Sequence, residues 1–358
     1  MAKLTIRGGD LDLVEYEFSP FDIGENIKTL GIKPDIEPFP EEGTFIVTAP
    51  ARIHLSVLDM NRFAPNRPGG GGIGFAIQLY TNAAVSCTDG EVSIEYDRVP
   101  VIRHFVEVFK KVTGYNTGGF AIKITDHEKK HVGLGSTGSV LLAVGHAMNS
   151  AVGSPLDSDQ IRLLIGNNYV EETCDGHIIH GFETGVGPAA ATYGGMAVLG
   201  DELNLVCHHS FAADKNVYII IPPTEAKAHG EDEFNVLMNR ARDLDYRDRE
   251  LKAYLVLMDL IPALIRDDLK TLGEVISEID FRGSKRAEVE HNSFEIYHYM
   301  SKLRGSGLEF VGMSSVGPSI AVITEKPESE MRKIAEKLGL EISIATKIDN
   351  EGLRITKN

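Results

Sequence analysis

The segment HVGLGSTGSVLLAV, residues 131–144, combines residue types that can bind an anion. It places Gly133, Gly135 and Gly138 directly before an apolar helical pattern. Glycine permits tight turns and close approach of the backbone to a ligand, and free N–H groups at a helix N-terminus attract phosphate. The same turn offers three hydroxyl donors, Ser136, Thr137 and Ser139. Because the spacing fits neither GxGxxG nor GxxxxGK[ST], a phosphate cradle and an ordinary glycine-rich helix start both remain open.

A second group of chemically capable residues lies in ARIHLSVLDMN, residues 51–61. On a strand, Arg52 and His54 would share one face, with Ile53 on the other, and Asp59 would follow at the strand's exit. An arginine beside a histidine suits a carboxylate or phosphate, because the guanidinium offers a bidentate fork. The alternative is a solvated face of an antiparallel sheet.

Three further loops are rich in glycine or hydroxyl groups. Four consecutive glycines in PGGGGIG, residues 68–74, indicate a need for positive φ or close approach. GFETGVGPAAA, from residue 181, contains Thr184 and Gly185, and GMSSVGPSI, from residue 312, contains Ser314 and Ser315. Each loop alone is typical of a tight turn, but together they suggest a shared pocket.

Composition excludes several classes of partner. The formal net charge of −16 disfavours nucleic acid and acidic membrane surfaces, while focused cations could still bind a small phosphorylated substrate. Cys87, Cys174 and Cys207 are isolated and indicate reduced thiols. The i,i+3 pair His177 and His180 is weak support for a metal site. With no apolar run near the roughly 20 residues of a membrane span and no signal-peptide pattern, we expect a cytoplasmic protein.

Strand and helix patterns alternate irregularly along the chain and predict an α+β fold. We expect an N-terminal appendage over 1–43, a first domain with the glycine loop over 44–220, and a second α+β domain over 221–358. Asp157 and Gln160 predict a capping box, and residues 231–305 have a mainly helical pattern. The main predicted strands are 44–49, 51–60, 72–79, 91–96, 119–125, 195–199, 217–221, 319–323 and 341–346, with helices over 101–112 and 328–338.

Five segments in this order, ARIHLSVLDMN, GGGGIGFAI, HVGLGSTGSVLLAV, ETGVGPAA and GMSSVGPSIAVI, resemble the GHMP kinase superfamily. They are most similar to its archaeal branch, the β-ribofuranosylaminobenzene 5′-phosphate synthases. The resemblance covers the chain from about residue 44. It implies a two-domain fold, with an N-terminal domain like ribosomal protein S5 domain 2 and an α+β C-terminal domain.

The resemblance also implies an activity. In that branch, phosphoribosyl diphosphate reacts with 4-aminobenzoate or 4-hydroxybenzoate, in methanopterin biosynthesis, and CO₂ and diphosphate are released. Mg²⁺ is the implied cofactor, and the sequence leaves a homodimer possible. On this interpretation Arg52, His54 and Asp59 are catalytic and Asp59 helps to hold Mg²⁺, because hard cations prefer oxygen ligands. The glycine- and hydroxyl-rich residues bind substrate and phosphate: Gly133, Gly135, Ser136, Thr137, Gly138, Ser139, Thr184, Gly185, Ser314 and Ser315.

Two alternatives stay open. One is a GHMP-type kinase that uses ATP, which the GLGSTGS loop supports. Kinases of the superfamily, however, usually have a catalytic aspartate at the end of a loop with the sequence SGxD. The matching position here is Gly187, which favours the synthase. A non-catalytic, ligand-binding paralogue is suggested by departures in RPGGGGIG, where Gly70 replaces an aspartate, and in HGFETGVG.

Overall fold

A computed structural model describes residues 2–8, 11–64, 66–127, 132–173, 175–222 and 231–358. The strands in this part of the chain are β1 Ala2–Gly8, β2 Leu11–Phe18, β3 Phe45–Val57, β4 Gly72–Thr88, β5 Ser93–Glu95, β6 Gly119–Thr125, β7 Val170–Glu172, β8 Ile178–His180, β9 Met196–Leu199, β10 Leu205–His209, β11 Asn216–Ile220, β12 Phe310–Met313, β13 Ile320–Thr324, β14 Ile342–Thr346 and β15 Arg354–Lys357. The α-helices are α1 Val99–Thr113, α2 Ser136–Ala151, α3 Ser158–Asn167, α4 Val186–Tyr193, α5 Glu231–Leu255, α6 Ile261–Ile265, α7 Leu269–Ile279, α8 Gly283–Asn292, α9 Phe294–Gly305 and α10 Glu328–Lys337. A π-helical turn, Val256–Leu260, joins α5 to α6.

Two larger β-sheets with helices packed against them confirm the α+β class. The larger sheet follows the order β10-β9-β4-β3-β15, and β6 pairs with β4 and with β5. The smaller sheet has the order β12-β13-β11-β14 and is antiparallel throughout. The strand β15 returns to the larger sheet and pairs with β3, so residues late in the chain complete the sheet that carries Arg52. The division at residue 220 stays a prediction.

The strand β3 positions the candidate residues. The two strands predicted over 44–49 and 51–60 are one continuous strand, with an irregular register against β4 between Pro50 and Ala51. Before this irregularity, Val47 and Ala49 pack into a core with α1, α2 and α3. After it, Ile53 and Leu55 pack into a second core with α7. The predicted alternation is confirmed: Ile53 and Leu55 enter the core, and Arg52 and His54 lie on the other face.

The glycines of PGGGGIG allow a helix to pack closely on β4. Gly70 has φ of +82° and Gly71 of +58°, so this turn needs glycine. A Cβ on Gly74 would lie 2.6 Å from Val186 Cγ1 at the start of α4, and 2.4 Å from the Ile53 carbonyl oxygen. The predicted need for positive φ is therefore confirmed at Gly70 and Gly71, whereas the close neighbour of Gly74 is α4 and the predicted approach of a ligand stays a prediction.

Residues 19–43 form an arm along the first core. Phe21 exchanges backbone hydrogen bonds with Ile178 of β8, at 2.9 and 3.2 Å. Its ring contacts the rings of His104 and His180 at centroid distances of 5.9 and 4.6 Å. The arm thereby extends the β7–β8 hairpin.

Several elements differ from the expectations. The strand predicted over 51–60 ends at Val57, and Asp59 caps the short 3-10 turn Met60–Arg62. The segment VGPAAATY, expected as part of a glycine loop, forms the helix α4. Its sequence shows no helical periodicity because it is apolar on all sides. The Asp157–Gln160 capping box is confirmed. The Gln160 N–H donates to Asp157 Oδ1 at 2.8 Å, and the Asp157 N–H donates to Gln160 Oε1 at 2.9 Å. None of the helices in the described ranges has the length and apolar character that crossing a bilayer requires.

Candidate active site

A cleft of about 600 Å³ lies between β3, the start of α2 and the loop before α4. It brings together predicted residues from four of the five segments, whereas no residue of PGGGGIG lines it. Those that line it are Arg52, His54, Gly133, Gly135, Thr137, Gly138, Thr184 and Ser315. The shared pocket predicted from separate loops is therefore present.

Arg52 joins β3 to the glycine loop. Its Nη1 donates a hydrogen bond to the Gly133 carbonyl oxygen at 2.8 Å. Its Nε is buried without a hydrogen-bond partner among the described residues. Because a buried guanidinium N–H without a partner is costly, this donor is available to a ligand in the cleft.

The glycine loop fits tightly around Arg52. Gly135 has φ of +68° and precedes the first residue of α2 without a side-chain cap. A Cβ there would lie 2.7 Å from Arg52 Cζ, so only glycine fits. The first N–H groups of a helix lack helical partners, which leaves the backbone of Ser136, Thr137 and Gly138 free to bind an anion.

His54 is held on the same face by the loop before α4. Its Nε2 lies 3.3 Å from Thr184 Oγ1, and its Nδ1 is buried without a partner in the described part of the chain. Burial, followed by the cations of Arg52 and Lys285, holds the pKa of His54 well below its usual value. The ring is therefore neutral at physiological pH and can donate or accept one hydrogen bond at each nitrogen.

Three more of the predicted residues, Ser314, Ser139 and Gly185, support the walls from behind, whereas the side chain of Ser136 lies outside the described part of the structure. Ser314 Oγ donates to the Gly133 carbonyl oxygen at 2.6 Å and accepts from the His54 N–H at 3.1 Å. Ser139 Oγ donates to the Pro50 carbonyl oxygen at 3.0 Å. Gly185, with φ of +83°, precedes α4. These residues position the loops and do not line the cleft.

Glu183 adds a buried carboxylate to the cleft. Its Oε1 accepts a hydrogen bond from the Gly185 N–H at 2.7 Å. Burial raises the pKa of Glu183, against the opposing effects of that hydrogen bond and of Arg52. The carboxylate thus braces the start of α4 and balances part of the positive charge of Arg52.

Sequence reasoning missed several lining residues. Arg98, which precedes α1, lines the cleft and donates to Thr137 Oγ1. Glu288, on α8, also lines it and pairs with the buried Lys285, whose Nζ lies 2.7 Å from Glu288 Oε2. The i,i+3 spacing of Lys285 and Glu288 looks like an exposed ion pair on a helix, so no sequence signal distinguished it.

Asp59 does not lie where it was expected. Its Oδ1 accepts hydrogen bonds from the N–H and the side-chain amide of Asn61, both at 2.9 Å. It borders a separate, shallower cleft with Arg249 and Asp201. Because β3 ends two residues earlier, the chain turns away from the face of Arg52 and His54. The expectation that Asp59 shares their pocket is wrong on this geometry, and its role in holding a metal stays a prediction.

The donor set limits how Mg²⁺ would bind. Within the described ranges, no three acidic, histidine or cysteine residues are grouped as a metal site. Mg²⁺ is commonly held by one or two carboxylates together with substrate phosphates, and Glu171 and Glu172 on β7 line the cleft. The residues present therefore fit an ion that is shared with a diphosphate, and not an all-protein cage.

The chain is similar to known proteins in sequence and in fold. Residues 100–195 match the model of the GHMP kinases N-terminal domain, which includes α1, the glycine loop, α2 and α4. The match covers about a quarter of the chain, and this segment is similar to the GHMP kinases N-terminal domain.

Three curated relatives extend the similarity to most of the chain. A β-ribofuranosylphenol 5′-phosphate synthase of Archaeoglobus fulgidus is 27% identical over 330 residues, covering 86% of this chain and 97% of that protein. The enzyme of the same name from Methanocaldococcus jannaschii is 25% identical and covers 87% and 99%. Among solved structures, mevalonate diphosphate decarboxylase from Staphylococcus aureus has a TM-score of 0.63 at 16% identity, covering 88% and 98%. Homoserine kinase from Cytophaga hutchinsonii has a TM-score of 0.61 at 14% identity, with the same coverage. These two likenesses concern the fold alone.

Proposed function

We propose that this chain is a decarboxylating phosphoribosyltransferase. It would join phosphoribosyl diphosphate to 4-hydroxybenzoate or 4-aminobenzoate and release CO₂ and diphosphate, as a step of methanopterin biosynthesis. The observation that carries the proposal is the similarity to synthases of this name over 86–87% of the chain. The loop that binds phosphate in our interpretation and the residues around Arg52 lie within one cleft.

The proposed reaction needs positive potential where the diphosphate leaves. As the C–O bond to diphosphate breaks, negative charge grows on its oxygens, and preorganised donors stabilise that charge. Arg52 and Arg98 line the cleft, and the N-terminal ends of α2 and α4 add partial positive charge. The ring carbon that bears the carboxylate bonds to the anomeric carbon. The bond to CO₂ then breaks, and its electrons return to the ring.

Mg²⁺ would enter with the diphosphate and neutralise part of its charge. Glu171 and Glu172 would hold the ion, because both line the cleft and carboxylate oxygens suit a hard cation. Asp59 borders the separate, shallower cleft.

The kinase alternative has less support. A Cβ at Gly187 would find its nearest atom 3.8 Å away, on Arg52, so a Cβ would fit there. The sequence nevertheless has glycine, and no carboxylate stands at that position.

Product analysis tests the proposal. The purified chain is incubated with phosphoribosyl diphosphate, Mg²⁺ and either benzoate labelled at the carboxyl carbon. We expect labelled CO₂ and diphosphate in equal amounts. If neither acid gives either product, the proposal is wrong. Thermal stabilisation by ATP but not by phosphoribosyl diphosphate would then indicate a kinase, and stabilisation by phosphoribosyl diphosphate without turnover would indicate a binding paralogue.

A further inference from the structure

The cleft has walls of two different chemical kinds. One wall is polar and includes the glycine loop, Thr137 and Arg98, together with Glu171 and Glu172. The other contains Val57, Phe182 and Val316, together with the Glu288 carboxylate. The diphosphate of the proposed substrate suits the first wall. The second wall is therefore available to a different chemical group.

The apolar wall is firmly supported. Phe182 packs edge-to-face on Phe63, with ring centroids 4.4 Å apart. It belongs to an apolar cluster with Val57 and Ala287 of α8. The Val316 carbonyl oxygen accepts a hydrogen bond from Asn292 Nδ2 at 2.6 Å. The wall is thus fixed to α8 and suits a planar aromatic ring.

A buried ion pair lies beside this wall. The side chains of Lys285 and Glu288 are 0% and 7% exposed. Lys285 Nζ also donates to the Ser315 carbonyl oxygen at 3.2 Å, which ties the pair to the loop before Val316. A buried ion pair adds little stability over apolar packing, so its position facing the cleft calls for a role with a ligand.

We propose that Val57, Phe182 and Val316 form the subsite for the acceptor's ring, and that the Glu288 carboxylate binds the hydroxyl or amino group para to the reacting carbon. This inference rests on the proposed function. The acceptor's carboxylate then points toward the polar wall, where the sugar's anomeric carbon lies. Lys285 is a positioning residue that holds Glu288.

The assignment gives Glu288 a defined part in the reaction. As the ring carbon bonds to the anomeric carbon and diphosphate leaves, the para O–H or N–H proton shifts toward Glu288, so that electrons flow into the ring. After CO₂ leaves, the electrons of its bond restore the aromatic ring and the proton returns to the para group. Atoms and charges therefore balance without a further reactant.

The test compares Glu288→Gln with Glu290→Gln in the full chain. Glu290 is on the same helix, but its carboxylate pairs with Arg240 and Arg286 and does not line the cleft. A hydrogen bond to a charged group is worth about tenfold or more in affinity. We therefore expect Glu288→Gln to weaken equilibrium binding and raise KM for 4-hydroxybenzoate by at least about tenfold, with the KM for phosphoribosyl diphosphate unchanged.

Two further arms keep the result decisive. Unsubstituted benzoate, which lacks the para hydrogen donor, should bind the parent and Glu288→Gln equally weakly. Phe182→Leu should weaken the binding of both 4-hydroxybenzoate and unsubstituted benzoate. Its melting temperature should stay near that of the parent. If the parent makes product but Glu288→Gln behaves like Glu290→Gln, the subsite is wrong and the proposed function stands. If the parent makes no product with either acid, the proposed function is wrong, whatever the binding measurements on the variants show.

Discussion

Arg52 is the residue on which the strand and the glycine loop both depend. Its Nη1 bonds the Gly133 carbonyl oxygen, and its Nε remains unpaired in the described structure. One guanidinium thus fixes the loop and offers a donor to the ligand. A lysine would keep the charge but lose the planar fork.

We predict that Arg52→Lys lowers kcat/KM for the proposed reaction by about a hundredfold, since misplacing a positioning group by about 1 Å has this effect. The melting temperature should fall by only a few degrees. Arg103→Lys, on the exposed side of α1, is the matched control and should match the parent in both measurements. An activity loss no larger than the change in stability would mark Arg52 as structural.

The glycine at position 135 can be tested against a glycine of the same conformation. Gly135 and Gly339 both have φ of +68°, but a Cβ at Gly339 would meet nothing within 4 Å. Both alanine variants should lose roughly 1 kcal/mol of stability from the left-handed backbone. Only Gly135→Ala should also abolish thermal stabilisation by phosphoribosyl diphosphate, because its methyl group displaces Arg52. If phosphoribosyl diphosphate stabilises both variants equally, the glycine loop is not part of its binding site.

At the scale of elements, the loop between β12 and β13 holds the glycine loop in place. Ser314 is fully buried and bonds both Gly133 and the backbone of His54. Ser314→Ala should cost about 1–3 kcal/mol in urea unfolding, since two buried partners lose a bond, and should weaken phosphoribosyl diphosphate binding. Ser306→Ala, whose exposed hydroxyl donates to the Lys302 carbonyl oxygen, should change neither. Unaltered binding by Ser314→Ala would show that the glycine loop keeps its shape without this contact.

The elements also show what local patterns can and cannot predict. The alternation on β3 places Arg52 and His54 on one face from sequence alone, because side chains alternate along any strand. Asp59 was placed wrongly because the same alternation does not reveal that β3 ends at Val57. Glu288 and Lys285 were missed because their relation to β3 arises from packing between distant segments. Arg98 was missed for the same reason: its contact with Thr137 joins the starts of two helices.

For the whole molecule, buried histidines predict sensitivity to acid. Burial lowers the pKa of His104 and His146 to about 4, against about 6.5 in an unfolded chain. Between these values the unfolded chain binds more protons than the folded one. The free energy of unfolding therefore rises with pH across this window, and this stability is lost as pH falls from about 6.5 to 4.

We predict that His146→Leu, which cannot take up a proton, flattens the pH dependence of the free energy of unfolding between pH 4 and 7. The difference from the parent should approach about 3 kcal/mol over this range. Urea titrations at several pH values measure it. An unchanged slope for His146→Leu would mean that this histidine titrates alike in both states.

The pairing of β15 with β3 has a consequence for the kinetics of folding. Arg354 lies opposite Thr48, so this ladder joins segments roughly 300 residues apart. Closing so long a loop costs chain entropy before the new contacts can stabilise the pairing. A high mean sequence separation between contacting residues also slows folding. Until it closes, one edge of the strand that carries Arg52 and His54 presents open hydrogen-bonding groups to other chains. Refolding at high protein concentration should therefore favour aggregation, and activity should return only with the slowest folding phase.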